Sequence, residues 1–221
     1  MPHIVRVWDA PTRLFHWSLV SCVIGLFVTS RVGGEAMDWH IRFGYAVLTL
    51  LLFRLIWGFV GGHWSRFSKF LYSPAHVVRY LKGQGEASQS VGHNPAGSLS
   101  VWAILFLLAL QVASGLLSDD EIAAAGPLSR HVSEPIVNQA TTYHTTLGQY
   151  GLLLMLGLHL SAIAFYLVKK KENLAKAMIT GDKLLSHAAT QTRDRWTDRA
   201  KAMMLFALCW ALVAGWLSWL S

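Results

Sequence analysis

The sequence predicts an all-α membrane protein, and three observations carry that prediction. The 221 residues are 53% hydrophobic and only 14% charged, whereas soluble globular domains carry about a quarter charged residues. The apolar residues are gathered into five runs, Leu14–Ser30, Ile41–Val60, Leu99–Leu117, Leu147–Val168 and Ala202–Leu220. Each approaches or meets the roughly 20 residues that an α-helix needs to cross about 30 Å of hydrocarbon. Finally, these runs lack the alternation of lipid-facing strands and are about twice the length of a barrel strand.

The first run follows Arg6 and Arg13 and has the outline of a secretory leader. No small-residue cleavage site precedes the Arg31-Val32-Gly33-Gly34 turn, so it reads as a permanent span. After the second run, Phe67–Tyr72 leads into Ala75–Leu81, which predicts a short amphipathic helix in the membrane interface, and Gly83–Gly97 reads as a flexible linker. The segment Asp119–Tyr143 sets Asp119, Asp120, Glu121 and Glu134 against Arg130 alone, an acidic face suited to a basic partner. Lys169–Ala200 is a basic, helix-compatible connector, read equally as resting on anionic headgroups or as a solvated helix. Cys22 and Cys209 each lie inside an apolar run rather than in a loop, which suggests neither a disulfide framework nor a thiolate metal site.

The net charge of +7 tracks the loops rather than forming a nucleic-acid footprint. Fifteen of the nineteen Lys and Arg fall in the N-terminus, the Gly61–Gly97 loop and the Lys169–Lys201 segment. The positive-inside rule places those three segments in the cytoplasm. Five spans then put the N-terminus in the cytoplasm and Ser221 on the outer side, which is the periplasmic side of the inner membrane if the host is a Gram-negative bacterium.

Among ten His, four stand out by depth. His16 begins the first span on the cytoplasmic side and His40 the second on the outer side. His144 marks the outer end of the fourth span, and His159 lies in its lower half between Leu158 and Leu160. An α-helical rise separates His144 from His159 by about 22 Å and leaves them within about 60° of one face. The result is two His pairs, His16 with His159 and His40 with His144, one in each leaflet. Haem suits that arrangement better than zinc, because axial ligation needs two imidazoles across a flat group and no carboxylate or thiolate. Gly44 follows His40 by one turn, and Gly148 and Gly151 follow His144; missing side chains would admit a macrocycle, although helix packing alone also selects such glycines. Taken singly, His16, His40 and His144 read equally well as interfacial side chains reaching headgroups. An unpaired imidazole at His159 would be costly. His63 is a rival to His40 but lies on the opposite side from His144; His3, His76, His93, His131 and His187 are weaker candidates, most of which read as surface residues.

The sequence from Arg6 to Trp17, RVWDAPTRLFHW, the run His40-Ile41-Arg42-Phe43-Gly44-Tyr45, the run Phe53–Gly61 and His93-Asn94-Pro95-Ala96-Gly97 resemble the bacterial cytochrome b561 family, which includes the b-type cytochrome subunits of nickel-iron hydrogenases. The resemblance covers roughly residues 4–170. It implies a four-helix transmembrane bundle holding two b haems, with a fifth C-terminal transmembrane helix beyond that core. The segments would then be a di-haem core over 1–170, a basic cytoplasmic connector over 171–200 and a C-terminal span over 201–221. The family's ligand positions carry over as His16 and His159 for the cytoplasmic haem, and His40 and His144 for the outer one. Arg13 and Arg54 would lie near the inner haem and Arg42 near the outer, where a guanidinium pairs a propionate, unless each simply snorkels.

That resemblance implies transmembrane electron transfer between the membrane quinone pool and a periplasmic cytochrome c or a membrane-bound dehydrogenase or hydrogenase subunit, in either direction. An alternative is a haem-containing anchor whose main task is to hold a hydrogenase or dehydrogenase. A haem-free channel or transporter is disfavoured, since neither broken helices nor a repeated half is present in the sequence.

Overall fold

In the computed structural model, residues 3–85, 90–122 and 124–220 are described. They form a helical protein, and among them five helices are long and apolar enough to cross a membrane. These are α1 (Ala10–Val32), α2 (Ala36–Val60), α4 (Pro95–Leu117), the continuous rod of α5 (Glu134–Tyr143) and α6 (Gln149–Lys169), and α8 (Trp196–Leu220). Strand β1 (His3–Arg6) precedes them, and short helices α3 (Pro74–Leu81) and α7 (Leu174–Thr180) and strand β2 (Asp182–Leu185) lie between them, with short 3-10 turns at His63–Ser65, Phe67–Lys69 and Ser129–His131. All five expected spans are present. Each helix starts before its apolar run, and at α1 and α4 a polar cap begins it: Asp9 Oδ1 accepts the Thr12 amide at 2.8 Å, and Asn94 Oδ1 accepts the Gly97 amide at 2.7 Å ahead of Pro95. Gly33 and Gly34, at φ +67° and +56°, make the tight turn from α1 to α2 that a side chain would strain.

The chain divides into two compact units, and each of the five spans contributes to both. Unit 1 comprises residues 1–15, 54–103 and 156–204. Its centre is a small core of Val5, Val7, Trp8, Val91 and Ala177, with Trp64, Met178, Leu185 and Ala189 packed against it. Strands β1 and β2 pair antiparallel, His3 opposite Leu185 through Arg6 opposite Asp182. The connector therefore departs from the expected helix. It folds back as α7 and β2 because Asp182 and Asp194 both bind Arg6, at 2.5 and 3.1 Å. The expected linker also differs at its second half, where Val91 is 2% exposed and Pro95 is buried; its residues 86–89 lie outside the described ones. Helix α3 forms as expected, capped by Ser73 and started by Pro74, with none of its residues buried.

Unit 2 comprises residues 16–53, 104–155 and 205–221. Its distinctive element is a π-helical turn, His144–Gly148, between α5 and α6. The local sequence explains it: the Thr145 hydroxyl donates to the Thr141 carbonyl at 2.8 Å, and the Thr146 hydroxyl donates to that of Thr142. Hydroxyls that take i−4 carbonyls loosen the α-helical ladder. The 60° offset between His144 and His159 assumed α geometry throughout, and a wider π turn advances fewer degrees per residue, so that register holds only from Gln149 onward.

Candidate haem centre

Unit 2 brings His40 and His144 together. Their ring centroids lie 6.2 Å apart with planes at 82°. Each ring is anchored at Nδ1 by a main-chain carbonyl: His40 to Leu26 O at 3.1 Å, and His144 to Gln111 O at 2.9 Å. A carbonyl only accepts, so Nδ1 carries the proton in both rings and Nε2 is the nitrogen left to bind a metal. Hydroxyls stand beside the same nitrogens, Thr29 Oγ1 at 3.3 Å and Ser114 Oγ at 3.2 Å.

Several neighbours make room for the rings. A Cβ on Gly115 would lie 2.8 Å from His144 Cε1, so glycine lets α4 approach the imidazole. Gln111 holds His144 a second way, donating from Nε2 to the His144 carbonyl at 2.8 Å, a carbonyl within the π turn. At Gly148 the space beside the backbone is taken by Gln111 Oε1 and Tyr143, whereas a Cβ on Gly44 or Gly151 would meet nothing within 4 Å. The open surfaces are therefore at Gly44 and Gly151, and Gly148 admits Gln111. Arg42 is exposed, with its guanidinium 5.0 Å from the centre of the Trp39 ring. It lines a concavity of about 430 Å³ with Glu35, Ala36, Asp38 and Trp39.

His16 also belongs to unit 2, half-buried and edge-on to Trp17 at 5.1 Å. His159, Arg13 and Arg54 belong to unit 1. His159 is half-buried. Arg54 is 4% exposed, stacked 4.7 Å from the Phe67 ring centre and 5.8 Å from that of Phe70, and its Nη1 has no partner among the described residues. A buried guanidinium nitrogen left this way calls for an anion. Arg13 is more committed: Nη1 donates to Ile179 O at 2.6 Å and Nη2 lies 3.7 Å from Asp194, leaving its buried Nε without a partner among the described residues.

A search with family models matches residues 7–181 to prokaryotic cytochrome b561. The chain belongs to the prokaryotic cytochrome b561 family. Such a cytochrome is a multi-span bacterial membrane protein that carries haem b and transfers electrons within the membrane. Its relatives include the "Probable Ni/Fe-hydrogenase B-type cytochrome subunit" of Bradyrhizobium diazoefficiens, 26% identical over 81% of this chain and 85% of the relative. The similarly named protein of Azotobacter chroococcum is 28% identical over 80% and 87%, and the "Probable Ni/Fe-hydrogenase 1 B-type cytochrome subunit" of Escherichia coli K12 is 27% identical over 49% and 57%.

The residues of this cytochrome fit haem. Two imidazoles that bind one metal at about 2 Å have ring centres about 6 Å apart, which is the His40–His144 spacing. No group of three or more His, Cys, Asp or Glu arranged to hold a metal ion occurs among the described residues, so the donor set suits axial ligation rather than a closed tetrahedral site.

Sequence reasoning did not single out Thr29, Gln111, Ser114 or Gly115. The signal available was a polar pair, Gln111 and Ser114, inside the otherwise apolar α4. His93, grouped in the sequence with the loop histidines, is half-buried and packs with ring centres 4.6 Å from both Trp8 and Phe70.

Proposed function

We propose that this cytochrome carries electrons across the membrane through two haem b groups, exchanging them between the quinone pool and a hydrogenase or dehydrogenase partner, or a periplasmic cytochrome c. The observation that carries the reading is the His40–His144 pair, 6.2 Å between ring centres with both Nδ1 atoms already tied to carbonyls. His40 and His144 hold the outer haem iron through Nε2, and His16 and His159 hold the inner one. When bound, haem supplies one-electron chemistry at its iron. The protein fixes the ring tautomers, excludes water with its apolar helices, and offers Arg54, Arg13 and Arg42 to the propionates. Gly44 and Gly148 flank the outer site, the first as open space and the second through Gln111.

The di-haem core spans residues 1–170, with the connector over 171–200 and the last span over 201–221. The distribution of Lys and Arg favours a cytoplasmic N-terminus and a periplasmic C-terminus. The names of the relatives favour a hydrogenase as the partner. A second reading, a haem-bearing anchor for that hydrogenase, rests on the same names and leaves quinone chemistry to other subunits.

The test is a reduced-minus-oxidised spectrum with haem-to-protein stoichiometry. Two b haems are expected in the wild type, one in His144→Ala and one in His159→Ala. Retention of both haems in either variant rejects that ligand assignment. Reduction of the isolated wild type by a quinol supports exchange with the pool, whereas failure of any quinol to reduce it leaves the anchor reading.

A further inference from the structure

The two rings of the outer pair are gripped by the same device built twice, on two helices that carry neither histidine. On α1, the Thr29 hydroxyl lies 3.2 Å from the Leu26 carbonyl, three residues earlier, and the His40 Nδ1–H faces that carbonyl and that hydroxyl at 3.1 and 3.3 Å. On α4, the Ser114 hydroxyl donates to the Gln111 carbonyl at 3.0 Å, again three residues earlier. The His144 Nδ1–H faces this pair at 2.9 and 3.2 Å. Thr29 also donates to the Gly25 carbonyl at 2.7 Å, which fixes the rotamer that presents its oxygen to the ring.

Hydroxyls in apolar helices commonly bond back to a carbonyl of the preceding turn. That habit accounts for the donated proton of each hydroxyl. It does not account for an imidazole nitrogen resting on the same carbonyl–hydroxyl pair at both sites. A single acceptor would leave a ring free to swing about its Nδ1–H···O bond. Two acceptors, placed at different heights of one helix wall, also restrain the plane. The planes so restrained stand at 82°.

We propose that Thr29 and Ser114 are positioning residues that hold the His40 and His144 imidazole planes near perpendicular. This rests on the reading that those two histidines bind one haem. Ligand planes matter because each imidazole donates π density perpendicular to its own plane. Crossed planes leave two iron d orbitals nearly equal in energy, and the ferric low-spin EPR signal becomes strongly anisotropic. Parallel planes split those orbitals and give an ordinary rhombic signal.

The experiment uses the full-length, haem-loaded protein in detergent: ferric EPR with haem stoichiometry on the wild type, Thr29→Val, Ser114→Ala and the hydroxyl-keeping Thr29→Ser and Ser114→Thr. One haem of the wild type is expected to give the strongly anisotropic signal. In Thr29→Val and Ser114→Ala that signal moves toward the rhombic position, while Thr29→Ser and Ser114→Thr keep it. If Thr29→Val or Ser114→Ala loses the haem while its hydroxyl-keeping counterpart retains it, the need for the hydroxyl is equally supported. Unchanged EPR in both hydroxyl-less variants overturns the positioning role, as does equal loss of haem in the hydroxyl-keeping ones. His144→Ala separates the levels: if it keeps both haems the ligand reading fails and this proposal with it, whereas loss of one haem there beside unchanged EPR in Ser114→Ala rejects the positioning role alone.

Discussion

In unit 2 the hydrogen bonds around His40 and His144 run from two rings to carbonyls and hydroxyls of single helices. In unit 1 two aspartates instead gather donors from segments far apart in the chain. Asp9, 1% exposed, accepts from the Thr12 and Gly62 amides at 2.8 and 3.0 Å and from the Ser65 hydroxyl at 2.9 Å, with Trp57 Nε1 at 3.4 Å. Asp194 binds the Ala10 amide, Arg6 and Arg199 at 2.9–3.2 Å, with Arg13 at 3.7 Å. Polar groups orient a site in one unit and join chain segments in the other. Damage should therefore read out differently, as a change in haem signal for unit 2 and as a change in stability for unit 1.

The sharpest way to break that contrast is Asp9→Ala. It removes the N-cap of α1 and takes the charged acceptor from the half-buried Gly62 amide and from the Ser65 hydroxyl, which keeps only its Thr12 partner at 2.7 Å, at about 1.5–3 kcal/mol for each hydrogen bond to a charged group. A loss of at least ~3 kcal/mol is expected, a fall in melting temperature of roughly 6–12 °C for a chain of this size. The anisotropic signal assigned to the His40–His144 haem should survive in the folded fraction. Loss of that signal without a fall in melting temperature would erase the distinction between the units.

Asp194→Asn tests the second aspartate with a smaller effect and a pH signature. Burial pushes the Asp194 carboxyl up, but the hydrogen bonds from Arg199 and the Ala10 amide and the charges of Arg199 and Arg13 outweigh it, and the group titrates below its usual range. A depressed carboxyl stabilises the fold above its unfolded value of about 3.9, and this contribution is lost as pH falls through the folded value. At pH 7 the variant should melt lower by roughly 3–12 °C, since hydrogen bonds to charged groups contribute about 1.5–3 kcal/mol. Below about pH 4 the wild type should lose this advantage and the two melting curves should converge. A gap that stays constant down to pH 3 would remove Asp194 from the acid response.

The same contrast explains what could be read from the sequence. The spans were legible because membrane crossing imposes length and apolarity on contiguous residues, and three of them end where the apolar runs end, at Val60, Leu117 and Leu220. His40 and His144 were legible as a pair because depth along a helix is countable. What holds those rings was not, because Thr29 lies 11 residues from His40 and Ser114 30 from His144, on other helices. The β1–β2 pairing joins residues as distant as Arg6 and Asp182 across charged sequence without an alternating apolar pattern, so no local signal announced it. The π turn arises from a cluster of threonines whose hydroxyls compete for carbonyls, a competition that composition does not reveal.

The smallest expected effect on stability gives the finest test of the open space in unit 2. A Cβ on Gly44 or on Gly215 would meet no protein atom within 4 Å, and both lie inside long helices, α2 and α8. As bare helix positions, both Gly→Ala changes should be neutral or stabilising by up to about 1 kcal/mol. If the space beside Gly44 belongs to a macrocycle ligated by His40, one turn away, Gly44→Ala should instead lower the haem-to-protein ratio or shift the Soret band, while Gly215→Ala leaves both unchanged. Equal behaviour of the two variants, each with full haem and an unaltered spectrum, would mean that the gap at Gly44 faces lipid as the one at Gly215 does, and the macrocycle would have to approach His40 from another side.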